Sequence, residues 1–105
     1  MNSKTKNISR LIKQYVSDVE PTAEVILYGS RARGDERIDS DWDIIILTSL
    51  NADVETERKF RYRLYDLELE TGESFSVFVY SKNNWQNIQK NTPFYQSVTT
   101  EGLRI

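Results

Sequence analysis

The sequence predicts a small α/β domain, an α/β sandwich in which helices cover one face of a sheet. Three observations carry this expectation. Ile8, Leu11, Ile12, Tyr15, Val16 and Val19 recur at three-and-four spacing, the mark of an amphipathic helix. Two short apolar runs, Val25-Ile26-Leu27-Tyr28 and Ile44-Ile45-Ile46-Leu47, stand apart from that period and read as strands. Helix-like and β-rich stretches then alternate to the end, giving the order α-β-β-α-β-α-α.

The first helix runs from Ser3 to about Val19, and Pro21 ends it. The strand Val25–Tyr28 passes directly into Gly29-Ser30. Arg31 to Ser40 is polar and charged, a loop or a short helical turn. Asp41 to Thr48 is the second strand, and its centre is apolar on both faces, as in a strand with neighbours on either side. From Asp53 to Glu70 the helical period returns, with Phe60, Leu64 and Leu67 at i, i+4, i+7, and Gly72 is placed to stop the helix. Ser74 to Tyr80 is a β-rich third strand. Ser81 caps a short helix through Trp85 and Ile88. Thr92-Pro93 opens another, with Phe94 and Val98 stacked one turn apart and Gly102 beyond it. Leu103-Arg104-Ile105 adds a last short strand. No repeat, low-complexity segment or linker interrupts the chain, so residues 1–105 are expected to form a single domain.

Composition narrows the chemistry. The chain has 14 Lys+Arg against 16 Asp+Glu, a balance that argues against a strongly electrostatic nucleic-acid binder. No apolar run approaches the roughly 20 residues of a membrane helix. Met1 to Lys6 is polar, without the apolar segment of a secretory signal, and a cytoplasmic protein is expected. Cysteine and histidine are both absent. That removes thiol nucleophiles and zinc-thiolate sites, along with the usual general base and transition-metal ligand. Catalysis, if present, rests on carboxylates, hydroxyls, Lys, Arg or a hard oxygen-bound metal.

One segment has that character: Leu27-Tyr28-Gly29-Ser30, Arg31-Ala32-Arg33-Gly34, then Asp39-Ser40-Asp41-Trp42-Asp43. Glycine at a strand end lets backbone approach a ligand without a Cβ clash. Serine adds a hydroxyl, and the amides of the following turn converge on one point, which suits a phosphate. Arg31 and Arg33 add positive charge, and Ala32 and Gly34 leave room beside Arg33 for a phosphate contact. Residues two apart on a strand project to the same face, roughly 6.5–7 Å apart, so Asp41 and Asp43 point together and Trp42 points away. Two converging carboxylates suit Mg²⁺, which keeps positions open for substrate phosphates. A phosphate cradle beside a magnesium clamp implies phosphoryl or nucleotidyl transfer. Taken singly, Gly-Ser after a strand is most often a turn and Asp-x-Asp is common on surfaces. Acids opening an otherwise apolar strand need a reason to be there.

Gly29-Ser30, ten residues, then Asp41-x-Asp43 resembles the signature of the DNA polymerase beta-like nucleotidyltransferase superfamily. Gly-Ser-Arg-Ala-Arg-Gly with Asp-Ser-Asp-x-Asp is similar to its minimal nucleotidyltransferases. Tyr80-Ser81-Lys82, Trp85, Pro93-Phe94-Tyr95, Val98 and Glu101-Gly102 also resemble a bacterial and archaeal subgroup, so the likeness extends along essentially the whole chain. The resemblance implies the nucleotidyltransferase fold, with a small mixed sheet, and implies phosphate binding by Gly29 and Ser30 and metal binding by Asp41 and Asp43. It implies transfer of a nucleoside monophosphate from an NTP, with ATP favoured, to a hydroxyl. It also implies a role as the antitoxin of a small helical HEPN-type protein, in some cases by transferring AMP to a tyrosine of that partner. A domain without a substrate half of its own fits such an arrangement.

One departure bears on turnover. Active members usually carry a third acid on the strand after the second helix, but Ser74-Phe75-Ser76-Val77-Phe78-Val79-Tyr80 holds no Asp or Glu. Ser76, ahead of Ser74, stands at the expected place, and Glu70 and Glu73 lie just before the strand. Two functions therefore stay open: an active nucleotidyltransferase, or a nucleotide-binding antitoxin or regulatory subunit with little turnover. Among the remaining residues, Trp42 reads as core before base stacking, Tyr28 as a strand residue, and Arg31 as a solvated loop cation. Phe94, Tyr95 and Val98 read as either core or the surface of a homodimer. Glu101 has no assigned chemistry.

Overall fold

The computed structural model describes residues 2–105. Helix α1 (Ser3–Val19) is capped by the Asn2 side chain, which accepts from the Thr5 amide, and leads to strand β1 (Glu24–Tyr28). The single turn α2 (Ser30–Arg33) precedes strand β2 (Trp42–Thr48). Helix α3 (Val54–Thr71) starts on an Asp53 cap and ends on Gly72, and strand β3 (Phe75–Ser81) follows. Helix α4 (Lys82–Asn87), capped by Ser81, runs through a 3-10 turn (Gln89–Asn91) into α5 (Pro93–Glu101) and the two-residue strand β4 (Leu103–Arg104).

The sheet is mixed, in the order β3-β2-β1-β4. β1 pairs antiparallel with β2 and with β4, whereas β2 and β3 are parallel. α3 is the crossover that a parallel pair requires. β2 is thus central, which accounts for its apolar composition.

Strand alternation sorts side chains into two cores. Val25, Leu27, Trp42, Ile44, Ile46, Val77 and Val79 meet Ile12 and Val16 of α1 and Phe60, Leu64 and Leu67 of α3. These two helices cover one face, as the periodicity predicts. The opposite face is covered as well, by the short helices α4 and α5. Ile26, Ile45, Leu47, Trp85 and Val98 are buried there, with Tyr28, Tyr80, Phe94 and Tyr95 packed around them. Aromatic rings knit this layer together: Trp85 lies 4.9 Å from Tyr95 and 5.1 Å from Tyr80 between centroids. Phe94, Tyr95 and Val98 are therefore core residues. Helices of one or two turns carry too little periodicity to announce which face they cover. Among the described residues, no helix is long and apolar enough to cross a membrane.

Glu20 fastens the end of the fold remote from Gly29. Buried just after α1, its carboxylate accepts from the hydroxyls of Thr48 and Thr22 and, at 2.9 Å, from the amide of Ser49. Burial alone would raise its pKa, but these donors hold it below the ordinary carboxylate value. A depressed carboxylate contributes stability above its unfolded pKa and loses it as pH falls through the folded one. Glu20→Gln should lower stability at pH 7 by about 1–3 kcal/mol. The gap to wild type should close in acid, where both side chains are neutral. Urea melts across the acidic range check this; a gap independent of pH would mean that shape, not charge, is what Glu20 supplies.

Candidate active site

The site is built at the end of β1 and the start of β2. In the antiparallel register Tyr28 lies opposite Asp43, so the chain leaving β1 at Gly29 passes over the Asp43 side chain. Gly29 adopts φ 73°, ψ −154°, a conformation favourable only to glycine. A Cβ on Gly29 would fall 2.3 Å from Oδ2 of Asp43. Two independent reasons, backbone conformation and the carboxylate's proximity, thus require glycine here.

Ser30 opens α2. The amides of Ala32 and Arg33 both turn back to the Gly29 carbonyl, at 3.0 Å each, which by position leaves the Ser30 and Arg31 amides at the head of the turn. Asp43 is half-buried and Asp41 exposed. Burial first, and then the neighbouring Asp41 charge, raise the Asp43 pKa, while Arg33 pulls it the other way. Gly29, Asp41, Asp43 and Arg33 therefore gather at one sheet end. Arg33 is exposed and pairs with Asp35 at 3.2 Å and with Glu101 at 3.6 Å.

Arg31 is not the solvated cation that its loop position suggests. It is buried, 4% exposed, with its guanidinium 4.4 Å from the Trp42 ring. It donates to the carbonyls of Ser40, at 2.9 Å, and Ile38, at 3.3 Å. Arg31 thus ties the polar 34–41 loop to the protein and fixes the approach to Asp41. Trp42 is fully buried in the helical core, as expected of the residue between two outward aspartates.

On the other side of β2, parallel pairing sets Ser76 beside Asp43. Val77 and Val79 enter the helical core, so Ser76 shares the face of Asp43. Glu70 and Glu73 do not complete the set. Glu70 accepts from the Tyr15 hydroxyl, and Glu73 pairs with Lys4 at 2.7 Å. Burial would raise the Glu73 pKa, yet contacts led by Lys4 hold it low. Among the described residues, no group of three or more acidic side chains is placed to hold a metal ion.

Helix α5 closes the site from the second face. The Tyr28 hydroxyl shares a 2.6 Å hydrogen bond with Ser97, and its ring meets Phe94 edge-on at 5.7 Å. Tyr28 is thus a packing residue that also anchors α5. Glu101, without assigned chemistry in the sequence, is the partner of Arg33. No local pattern announces either contact, because each joins segments about 70 residues apart.

The model of the family "Polymerase beta, Nucleotidyltransferase" matches residues 10–99. No curated protein sequence matches the chain. Among solved structures, a toxin-antitoxin with AMP-PNP superposes with TM-score 0.65 at 20% identity, over 89% of this chain and 68% of that one. A mutant of the toxin-antitoxin MntA-HpeT superposes with TM-score 0.63 at 16% identity, over 90% of this chain and 69% of that one. At such identity these likenesses speak for the fold, and they agree with the mixed sheet and its helices. Because the family's model spans all but the two ends of the chain, the chain belongs to the polymerase beta nucleotidyltransferase family.

Proposed function

We propose that the chain binds a magnesium nucleoside triphosphate, ATP, at the Gly29–Asp43 edge and transfers its nucleoside monophosphate to a hydroxyl of a partner protein. The observation carrying this reading is the contact between Gly29 and Asp43. It leaves backbone, with no side chain, between the head of α2 and a carboxylate held against its own charge preference. Two carboxylates, one already raised in pKa by burial and its neighbour, suit a divalent cation that also takes phosphate and water ligands. Asp41 and Asp43 would hold it. Bound magnesium supplies neutralisation of phosphate charge and polarisation of the reacting oxygen.

The chain's own groups do the rest. The Ser30 hydroxyl and the amides at the head of α2 donate to phosphate oxygens, and Arg33 neutralises charge beside them. The acceptor hydroxyl attacks the α-phosphorus, the bond to the β-phosphate oxygen breaks, and pyrophosphate leaves; the hydroxyl proton passes to solvent. The adenine nucleotide and toxin-antitoxin descriptions of the structural neighbours support ATP and a protein acceptor. A small helical HEPN-type toxin is the partner class we propose, with this chain as its antitoxin in the cytoplasm. Ser76 beside Asp43 favours a second reading, in which nucleotide is held with little turnover, because that position carries no metal-binding charge.

Calorimetry with ATP should show binding with Mg²⁺ and its loss with a chelator. Asp43→Asn should remove the metal-dependent part and leave the apo fold at least as stable, since it relieves both burial of charge and repulsion from Asp41. Equal affinity with and without chelator would remove the metal from the site. Labelled ATP, the partner protein and intact-mass measurement then separate transfer from simple binding.

A further inference from the structure

We propose that the outer edge formed by α3 and β3 is an isologous interface with a second copy of this chain, with the two β3 strands pairing antiparallel about Val77–Phe78. β3 ends the sheet order, with no strand beyond it among the described residues. Exposed edges are ordinarily blunted by charge, proline or shortness. The edge at β4 is two residues long. β3 is seven residues, Phe-Ser-Val-Phe-Val-Tyr-Ser, with neither charge nor proline.

The helix above it carries exposed apolar side chains along the same edge. Tyr62, Tyr65 and Leu69 of α3 are 66%, 57% and 68% exposed, and Phe78 of β3 is 40% exposed. Between helix and strand runs a groove of about 410 Å³, lined by Tyr62, Tyr65, Phe75 and Val77 together with Arg61 and Glu68. Phe78 lies on the other side of the strand, against Phe94; on the helical side, the groove and the exposed tyrosines make an apolar strip beside an open strand edge, which marks an association surface.

Charge selects the occupant. Along the strip, Arg58 and Arg61 lie at one end and Glu68 at the other, with the tyrosines between; Glu57 beside Arg58 leaves the first end net positive. A two-fold axis reverses the strip, so the basic end of each copy meets Glu68 of the other, as an isologous contact requires. The same axis serves the strands. Glu68 accepts from the Phe75 amide at 3.3 Å, which sets those residues level. With a rise of about 1.5 Å per residue in helices and about 3.3 Å in strands, the level of Val77–Phe78 on β3 falls between Arg58 and Glu68 on α3. One operation therefore satisfies the backbone edge, the apolar strip and the charges together.

Sedimentation of the full chain over a concentration series should give a dimer of twice 12.3 kDa. Tyr62→Lys and, separately, Tyr65→Glu, both at exposed positions, should each weaken the dimer about tenfold or more while leaving the thermal melt of the dilute protein in place. Arg58→Glu with Arg61→Glu should do the same, and adding Glu68→Arg should restore association. A monomeric wild type, a dimer indifferent to Tyr62→Lys, or a charge reversal that restores nothing would overturn the proposal. So would capture of this face by a different protein while the chain alone stays monomeric. None of these variants touches the nucleotide edge, so their outcome is separable from that of the ATP titration.

Discussion

Gly29→Ala is expected to abolish Mg²⁺-dependent nucleotide binding and to lower stability by more than the usual glycine replacement. Two terms add at this position. An alanine at φ 73°, ψ −154° occupies backbone space almost reserved for glycine, a strain of about 1–3 kcal/mol. Its methyl would also lie 2.3 Å from the Asp43 carboxylate oxygen, so either the carboxylate or the β1–α2 turn must move. Either movement separates the head of α2 from Asp43. Gly34→Ala supplies the control, since Gly34 has φ 82° and a methyl there would meet nothing within 4 Å. It should show strain and retain nucleotide binding. Pairing Gly29→Ala with Asp43→Ala should recover part of the lost stability without recovering binding, because the clash goes but the ligand goes with it. Equal damage from the two alanines, or full additivity in the pair, would show that the carboxylate contact contributes nothing.

The features legible in the sequence are those whose cause is local. The periods of α1 and α3, the helix starts marked by Ser81 and by Thr92-Pro93, and the apolar centre of β2 depend on neighbours a few positions away, and they fall where the pattern puts them. Asp41 and Asp43 are legible because charge at the head of an apolar strand conflicts with its surroundings. Arg31 is not. Its loop reads as solvated, and only the tertiary structure sets the Trp42 ring and the carbonyls of Ile38 and Ser40 around the guanidinium. Tyr28–Ser97 and Arg33–Glu101 are invisible for the same reason. Glu70 and Glu73 show the converse: sequence proximity to β3 suggests a role at the site, yet Tyr15 and Lys4 hold them elsewhere.

Ser76→Asp is expected to raise Mg²⁺ affinity about tenfold and to raise the rate of nucleotidyl transfer. Ser76 stands beside Asp43 in the parallel register and on its face of the sheet, since the flanking Val77 points into the helical core. A carboxylate introduced there joins Asp41 and Asp43 as a third acidic ligand, and a further ligand helps bind the ion that activates the attacking hydroxyl. Without metal, three neighbouring carboxylates repel one another, and Asp43 among them already has a raised pKa. The apo variant should therefore melt below wild type at neutral pH and recover as pH falls and protons relieve the repulsion. Saturating Mg²⁺ should recover it too, by about 2.7 kcal/mol at a hundredfold excess over the dissociation constant. Melts with and without Mg²⁺ are decisive even where no acceptor is at hand. A metal-insensitive loss of several kcal/mol would mean that the new carboxylate is buried without a partner, with Ser76 a packing residue. Rapid transfer by the unmodified protein would defeat the premise from the other side, because Glu70 and Glu73 are held by Tyr15 and Lys4 and another group would have to complete the site.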